Sequence, residues 1–135
     1  MKNIIMFVAL FFGVHLFAGL FEDGLLKYDG GDLNGAKAIW TKSCEQGSMK
    51  SCKKLGVMYY YGYGVVKDQI KAKELYVEVC DSGDTESCRK VADMYNYGYS
   101  VKQDKAKAVQ LYKKACDGND EMGCKNFFDL KRKGY

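Results

Sequence analysis

Apolar residues recur along this chain in two alternating stripes. From residue 72 they fall at Ala72, Leu75, Tyr76, Val79 and Cys80, the i, i+3, i+4, i+7, i+8 spacing that lines one face of an amphipathic helix. The same stripe returns 36 residues later as Ala108, Leu111, Tyr112, Ala115 and Cys116, and 36 residues earlier as Ala36, Ile39, Trp40 and Cys44. A second stripe alternates with it: Cys52, Leu55, Gly56 and Tyr59, then Cys88, Val91, Ala92 and Tyr95, then Cys124, Phe127 and Phe128. Asp32, Asp68 and Asp104 precede the first type, where a carboxylate caps the free amides and meets the positive end of the helix dipole. Tyr-Gly-Tyr-Gly-Val at 61–65 and Tyr-Gly-Tyr-Ser-Val at 97–101 separate the second type from the next helix, and glycine there suits a left-handed helix end. The pattern predicts a short helix over 20–29, then helices over 33–45, 50–61, 68–80, 86–97, 104–116 and 122–132.

Helices this short cannot each bury their own stripe alone, and a fixed period lets neighbouring pairs cover one another. The expected fold is therefore all-α, an α-solenoid of stacked helix-turn-helix units with a 36-residue period. A length of 135 residues, 47% of them hydrophobic, fits one such domain and argues against disorder. The first 18 residues differ from the rest. Lys2 is followed by an almost wholly apolar run from Ile4 to Phe17 and by the small residues Ala18 and Gly19, which reads as a secretory signal over 1–18 cut after Ala18. The run is shorter than the roughly 20 residues that span a bilayer, so no membrane span is expected to remain. The domain proper then covers 19–135: a partial first repeat, repeats near 49–84 and 85–120, and a closing helix within 121–135.

The compartment changes how the cysteines are read. All six occur as Cys-x7-Cys, at 44 and 52, 80 and 88, 116 and 124. An even count in an exported chain indicates disulfides, whereas zinc sites favour closer ligand spacing and commonly include histidine; neither a metal nor another cofactor is expected. Six cysteines allow many pairings, but the repetition favours Cys44–Cys52, Cys80–Cys88 and Cys116–Cys124. Eight residues of straight helix would hold the Cα atoms about 12 Å apart, and a disulfide needs about 4.4 to 6.8 Å. The chain must therefore turn between partners, at Gly47-Ser48, Gly83-Asp84 and Gly118-Asn119. Closing each ring contributes roughly 2.5 kcal/mol.

These residues resemble the Sel1-like repeat family, a relative of the tetratricopeptide repeat, and within it the disulfide-bonded exported branch of bacterial cysteine-rich Hcp proteins. The resemblance rests on Leu55-Gly56, Tyr59, Gly62, Gly64-Val65, Asp68, Lys71-Ala72, Leu75-Tyr76 and Cys80, and on Val91-Ala92, Tyr95, Gly98, Val101, Asp104, Lys107-Ala108, Leu111-Tyr112 and Cys116. Ala92 and Ser100 stand where the family pattern has glycine. The family resemblance implies an interaction scaffold. The cysteine-rich branch, whose members are often labelled β-lactamases or penicillin-binding proteins, implies as an alternative a β-lactam-binding protein or slow β-lactamase.

Composition narrows the chemistry. The one histidine lies in the apolar leader, so the exported domain has no imidazole for a Ser-His-Asp or Cys-His mechanism. A net charge of +4 with both signs interspersed gives no basic stripe for nucleic acid. Two Ser-x-x-Lys sequences, Ser51 with Lys54 and Ser87 with Lys90, have the one-turn spacing by which a lysine activates a serine in β-lactamases. The Ser-Asp-Asn and Lys-Thr-Gly partners are absent, and Gly123 and Asn126 replace the pair in the third copy, so repeat filler is the favoured reading. The tyrosines suggest a surface. Tyr61 and Tyr97 share a face with Met58, Met94, Lys54 and Lys90, and stacking repeats would line these six into an aromatic and cationic strip suited to a peptide or carboxylate. The expected protein is a secreted or periplasmic monomer that binds a protein or peptide, with a β-lactam or cell-wall-related ligand as the alternative.

Overall fold

The computed structural model describes residues 19–135, so the leader expected over 1–18 lies outside the described residues. The chain is helical over 19–29, here α1, and continues as α2 Leu33–Glu45, α3 Met49–Tyr61, α4 Gln69–Asp81, α5 Thr85–Tyr97, α6 Lys105–Asp117 and α7 Glu121–Arg132. No strand occurs among the described residues. The ends of α2 to α7 fall within one residue of those the stripes predict.

Aspartates start five of these helices. The carboxylates of Asp32, Asp68, Asp84, Asp104 and Asp120 accept hydrogen bonds from the N–H groups of Gly35, Lys71, Ser87, Lys107 and Gly123, each cap contributing about 1 kcal/mol. Asp84 and Asp120 thus join the three caps read from the repeat. The Ser48 hydroxyl accepts the Ser51 N–H at 3.4 Å at the start of α3.

The described chain divides between Leu55 and Gly56 into two compact units. In the first, Trp40 is fully buried, and its indole N–H donates to the Phe21 carbonyl at 3.2 Å. The rings of Phe21 and Tyr28 lie 6.4 and 5.5 Å from it. Gly24 permits that approach, since a Cβ there would fall 2.2 Å from the indole nitrogen. The Cys44–Cys52 disulfide joins α2 to α3 within this unit.

In the second unit α5 packs against α4, α6 and α7, and α6 against α7. Its core lies in layers that follow the repeat. One holds Ala72, Tyr76 and Val91, the next Ala92, Ala108, Tyr112 and Leu130, so each apolar stripe is covered by the following copy. A third layer is built on the Cys80–Cys88 bridge and Ala115. Cys116–Cys124 staples α6 to α7, and Arg89 on α5 reaches the α7 cap, its Nε 3.1 Å from Asp120. The three bridges are the local set, with Cα–Cα distances of 4.7, 4.6 and 4.3 Å.

Candidate functional site

The first two helices of the second type, α3 and α5, end in one device that places a pair of tyrosines. At the end of α3, Gly62 takes a left-handed φ of 78°, and the amides of Gly62 and Tyr63 both donate to the Met58 carbonyl, at 2.8 and 3.0 Å. The chain doubles back, and the Tyr63 ring stacks on Tyr61 with centroids 5.3 Å apart and planes 19° apart. The next copy repeats this. Gly98 has φ 73°, the Tyr99 amide donates to the Met94 carbonyl at 2.9 Å, and the Tyr97 and Tyr99 rings stack at 5.5 Å and 29°.

The loops are then tied down behind the pairs. The amides of Asp68 and Asp104 donate to the carbonyls of Tyr59 and Tyr95, each at 2.9 Å, while the ammonium groups of Lys71 and Lys107 lie 4.5 Å from those two ring centroids. Held this way, Tyr61, Tyr63, Tyr97 and Tyr99 are 50%, 44%, 57% and 46% exposed. Exposed aromatic rings stacked side by side are the kind of contiguous apolar patch that marks an interaction site. Tyr60 stands edge-on to Tyr61 at 4.8 Å. Burial first, then Tyr61, Tyr99 and Asp93, push its own phenol up. A cation completes one end: Lys105 Nζ is 5.9 Å from the Tyr97 ring centroid and donates to Asn96 Oδ1 at 2.8 Å.

The structure keeps only part of the strip expected from the sequence. Tyr61 and Tyr97 are exposed, but Met58 and Met94 are fully buried and cannot touch a ligand; packing has drawn them inside, and their carbonyls position the tyrosine turns. Lys54 belongs to the first unit, with Nζ 6.0 Å from the Trp40 ring centroid. Lys90 is half-buried on α5. Tyr63 and Tyr99, which the strip left out, complete the surface. Their signal was the second tyrosine of each Tyr-Gly-Tyr, invisible to helical periodicity because it lies past the helix end.

Neither serine is placed for nucleophilic attack. Ser51 and Ser87 have no exposed surface. The Ser51 hydroxyl donates to Ser43 Oγ at 2.8 Å, and that of Ser87 to Asp84 Oδ2 at 2.6 Å, so each is engaged in packing α3 or α5 at its start. A serine activated by lysine needs the amine at its hydroxyl and a path for substrate; this geometry provides neither at Ser51–Lys54 or Ser87–Lys90. All cysteines of the described chain are in disulfides, so thiolate ligation of a metal is also closed.

The Sel1 repeat family model matches residues 50–84 and 85–120, more than half of the chain. The chain belongs to the Sel1 repeat family. Its helix pairs superpose on a Sel1 repeat protein from Oxalobacter formigenes with a TM-score of 0.76 and 27% identity, over 82% of this chain and 46% of that one. A protective antigen of uropathogenic Escherichia coli strains displaying an SLR fold gives a TM-score of 0.73 and 26% identity, over 79% of this chain and 24% of that one. Cysteine rich protein B of Helicobacter pylori gives 0.63 and 30% identity, over 67% of this chain and 68% of that one. This Sel1 chain thus spans less than half the length of the first two. No curated protein matches it. Sel1 repeats are a protein-interaction module type, which suits a surface of exposed aromatics and gives no support to a hydrolase.

Proposed function

We propose that this Sel1-repeat protein is an exported interaction module that binds a peptide or protein segment across the stacked pairs Tyr61–Tyr63 and Tyr97–Tyr99. The observation that carries the reading is the duplication of the pairs, with the same left-handed glycine and the same carbonyl acceptor 36 residues apart. Two equal aromatic platforms suit an extended partner read at regular intervals. Rigid rings with polar tips supply apolar area at little entropic cost. Export is supported by the three disulfides, which persist in oxidising compartments, and by the likeness to the cysteine-rich protein of Helicobacter pylori. The leader over 1–18 and a closing role for the helix within 121–135 belong to the same proposal.

The test is selection of a random displayed peptide library on the oxidised protein, followed by affinity measurements for the selected peptides. Tyr61→Ala, Tyr63→Ala, Tyr97→Ala and Tyr99→Ala should each weaken binding about tenfold or more, as anchors at an interface do. Met58→Leu and Met94→Leu should leave affinity unchanged. Peptides that bind all four tyrosine variants as tightly as the parent would overturn the proposal.

A further inference from the structure

The three disulfides are equal in sequence and unequal in access. Cys80 and Cys88 are 2% and 1% exposed, and Cys52 is fully buried. Cys116 and Cys124 are both half-buried, and together with Asn119 and Glu121 they line an open cavity of about 490 Å³. The cause is local. The Cys80–Cys88 bridge is roofed by the following copy through Ala115 and Leu111, whereas Cys116 and Cys124 face this cavity.

We propose that Cys116–Cys124 is a thiol-exchange site, at which a small-molecule thiol forms a mixed disulfide with Cys116 while Cys80–Cys88 stays intact. The direction of attack follows from where the two sulfurs sit. Cys116 is the penultimate residue of α6 and Cys124 the fourth of α7, so Cys116 lies at the negative end of one helix dipole and Cys124 near the positive end of another. A thiolate is better stabilised at a helix N-terminus, and the sulfur of lower pKa leaves faster. The incoming thiolate therefore bonds to Sγ of Cys116 as the S–S bond breaks, and Cys124 departs as a thiolate that takes a proton from water. A second thiol attacking the mixed disulfide releases the oxidised small molecule and leaves two protein thiols. Overall two thiols lose two electrons and the bridge gains them.

The cavity also discriminates by charge. Glu121 is exposed at its wall and repels an anionic thiol. Cysteamine, which carries an ammonium group, is favoured over glutathione, which carries net negative charge. The exchange would open the staple between α6 and α7 without dismantling the unit, because Leu130 of α7 remains in the core layer with Tyr112 and Arg89 still holds Asp120.

The test uses the oxidised full-length mature protein under native conditions, treated with cysteamine or reduced glutathione, quenched with acid and mapped by peptide mass spectrometry. The expected result is an adduct on Cys116 that forms at least tenfold faster than any on Cys80 or Cys88, with Cys44–Cys52 between them because only Cys44 is half-buried. In denaturant the three bridges should react alike. Glu121→Gln should raise the rate with glutathione several-fold and leave that with cysteamine equal or lower. Equal native rates at the three bridges would overturn the site, and an adduct on Cys124 in place of Cys116 would overturn the direction of attack. A glutathione rate unmoved by Glu121→Gln would overturn the charge selection.

Discussion

The Tyr112 hydroxyl donates to Asp93 Oδ1 across the α5–α6 interface. Its counterpart 36 residues earlier, Tyr76, is equally buried, yet its hydroxyl has no hydrogen-bond partner among the described residues. The reason is one substitution between copies: Val57 stands in the register of Asp93 and packs against the Tyr76 layer. Two phenols of equal burial therefore contribute differently to stability. Tyr112→Phe should destabilise the protein by about 1–2 kcal/mol, because it strips a half-buried carboxylate of a donor. Tyr76→Phe should be neutral or stabilising. Urea unfolding of the two variants checks this, and equal losses would refute the difference between copies.

Asp93 also sets a pH dependence. Burial raises its carboxyl above the ordinary value, outweighing the Tyr112 hydrogen bond and the positive charges of Arg89 and Lys90, which act the other way. Between the ordinary carboxylate value and the raised native one, the folded protein binds more protons than the unfolded chain. The contribution of this group is therefore fully present at low pH and is lost as pH rises through the native value. Asp93→Asn keeps an acceptor for Tyr112 and removes the titration. The stability of this variant relative to the parent should increase as pH rises from the ordinary carboxylate value through the raised native one, measured as unfolding free energy in a pH series. A difference that is flat or falls with pH would count against it.

Ser100 adopts a left-handed φ of 55° where Gly64 in the preceding copy has 64°. A non-glycine residue in that region costs about 1 kcal/mol, partly offset by the flexibility glycine adds to the unfolded chain. Ser100→Gly should raise stability by roughly 0.5 kcal/mol and Gly64→Ala should lower it, both read from thermal unfolding. Asn119, at φ 68° where Gly47 and Gly83 stand in the other copies, should gain less on conversion to glycine, since asparagine tolerates this conformation.

Incubation with a penicillin core should give no acyl adduct on Ser51 or Ser87. Both hydroxyls are buried and already donate to Ser43 and Asp84. Intact mass spectrometry decides it, and a stable adduct on either serine would contradict the packing described for α3 and α5.

Complete reduction of the three bridges should cost several kcal/mol, at roughly 2.5 kcal/mol for each closed ring. A melting temperature indifferent to strong reductant would show that helix packing alone supports the fold.

The helices, their register and the pairing of the cysteines were legible in the sequence because each depends on short-range periodicity, which repetition confirms at every copy. Met58 and Met94 were misplaced for the complementary reason. A residue on the edge of an amphipathic stripe is buried or exposed according to how neighbouring helices rotate against it, and period alone does not fix that rotation. Ser51 and Ser87, for which repeat filler is the favoured reading, have a real one-turn spacing to lysine, but both are buried at the starts of α3 and α5 and hydrogen-bonded there. Tyr63 and Tyr99 escaped helical reasoning because turns, not helices, put them in place.

Every disulfide here joins residues only eight apart in sequence, which bears on how the oxidised protein is made. In the export proposed above, the chain threads into an oxidising compartment from its amino terminus, so Cys44 and Cys52 arrive together and Cys80 appears only after a further stretch of chain. Thiols so few residues apart meet on a timescale of about 100 ns, so at every stage of threading the native partner is the one encountered most often. Oxidation during export should need little correction by an isomerase, whereas oxidation of the fully reduced, denatured chain offers all the wrong pairings at once.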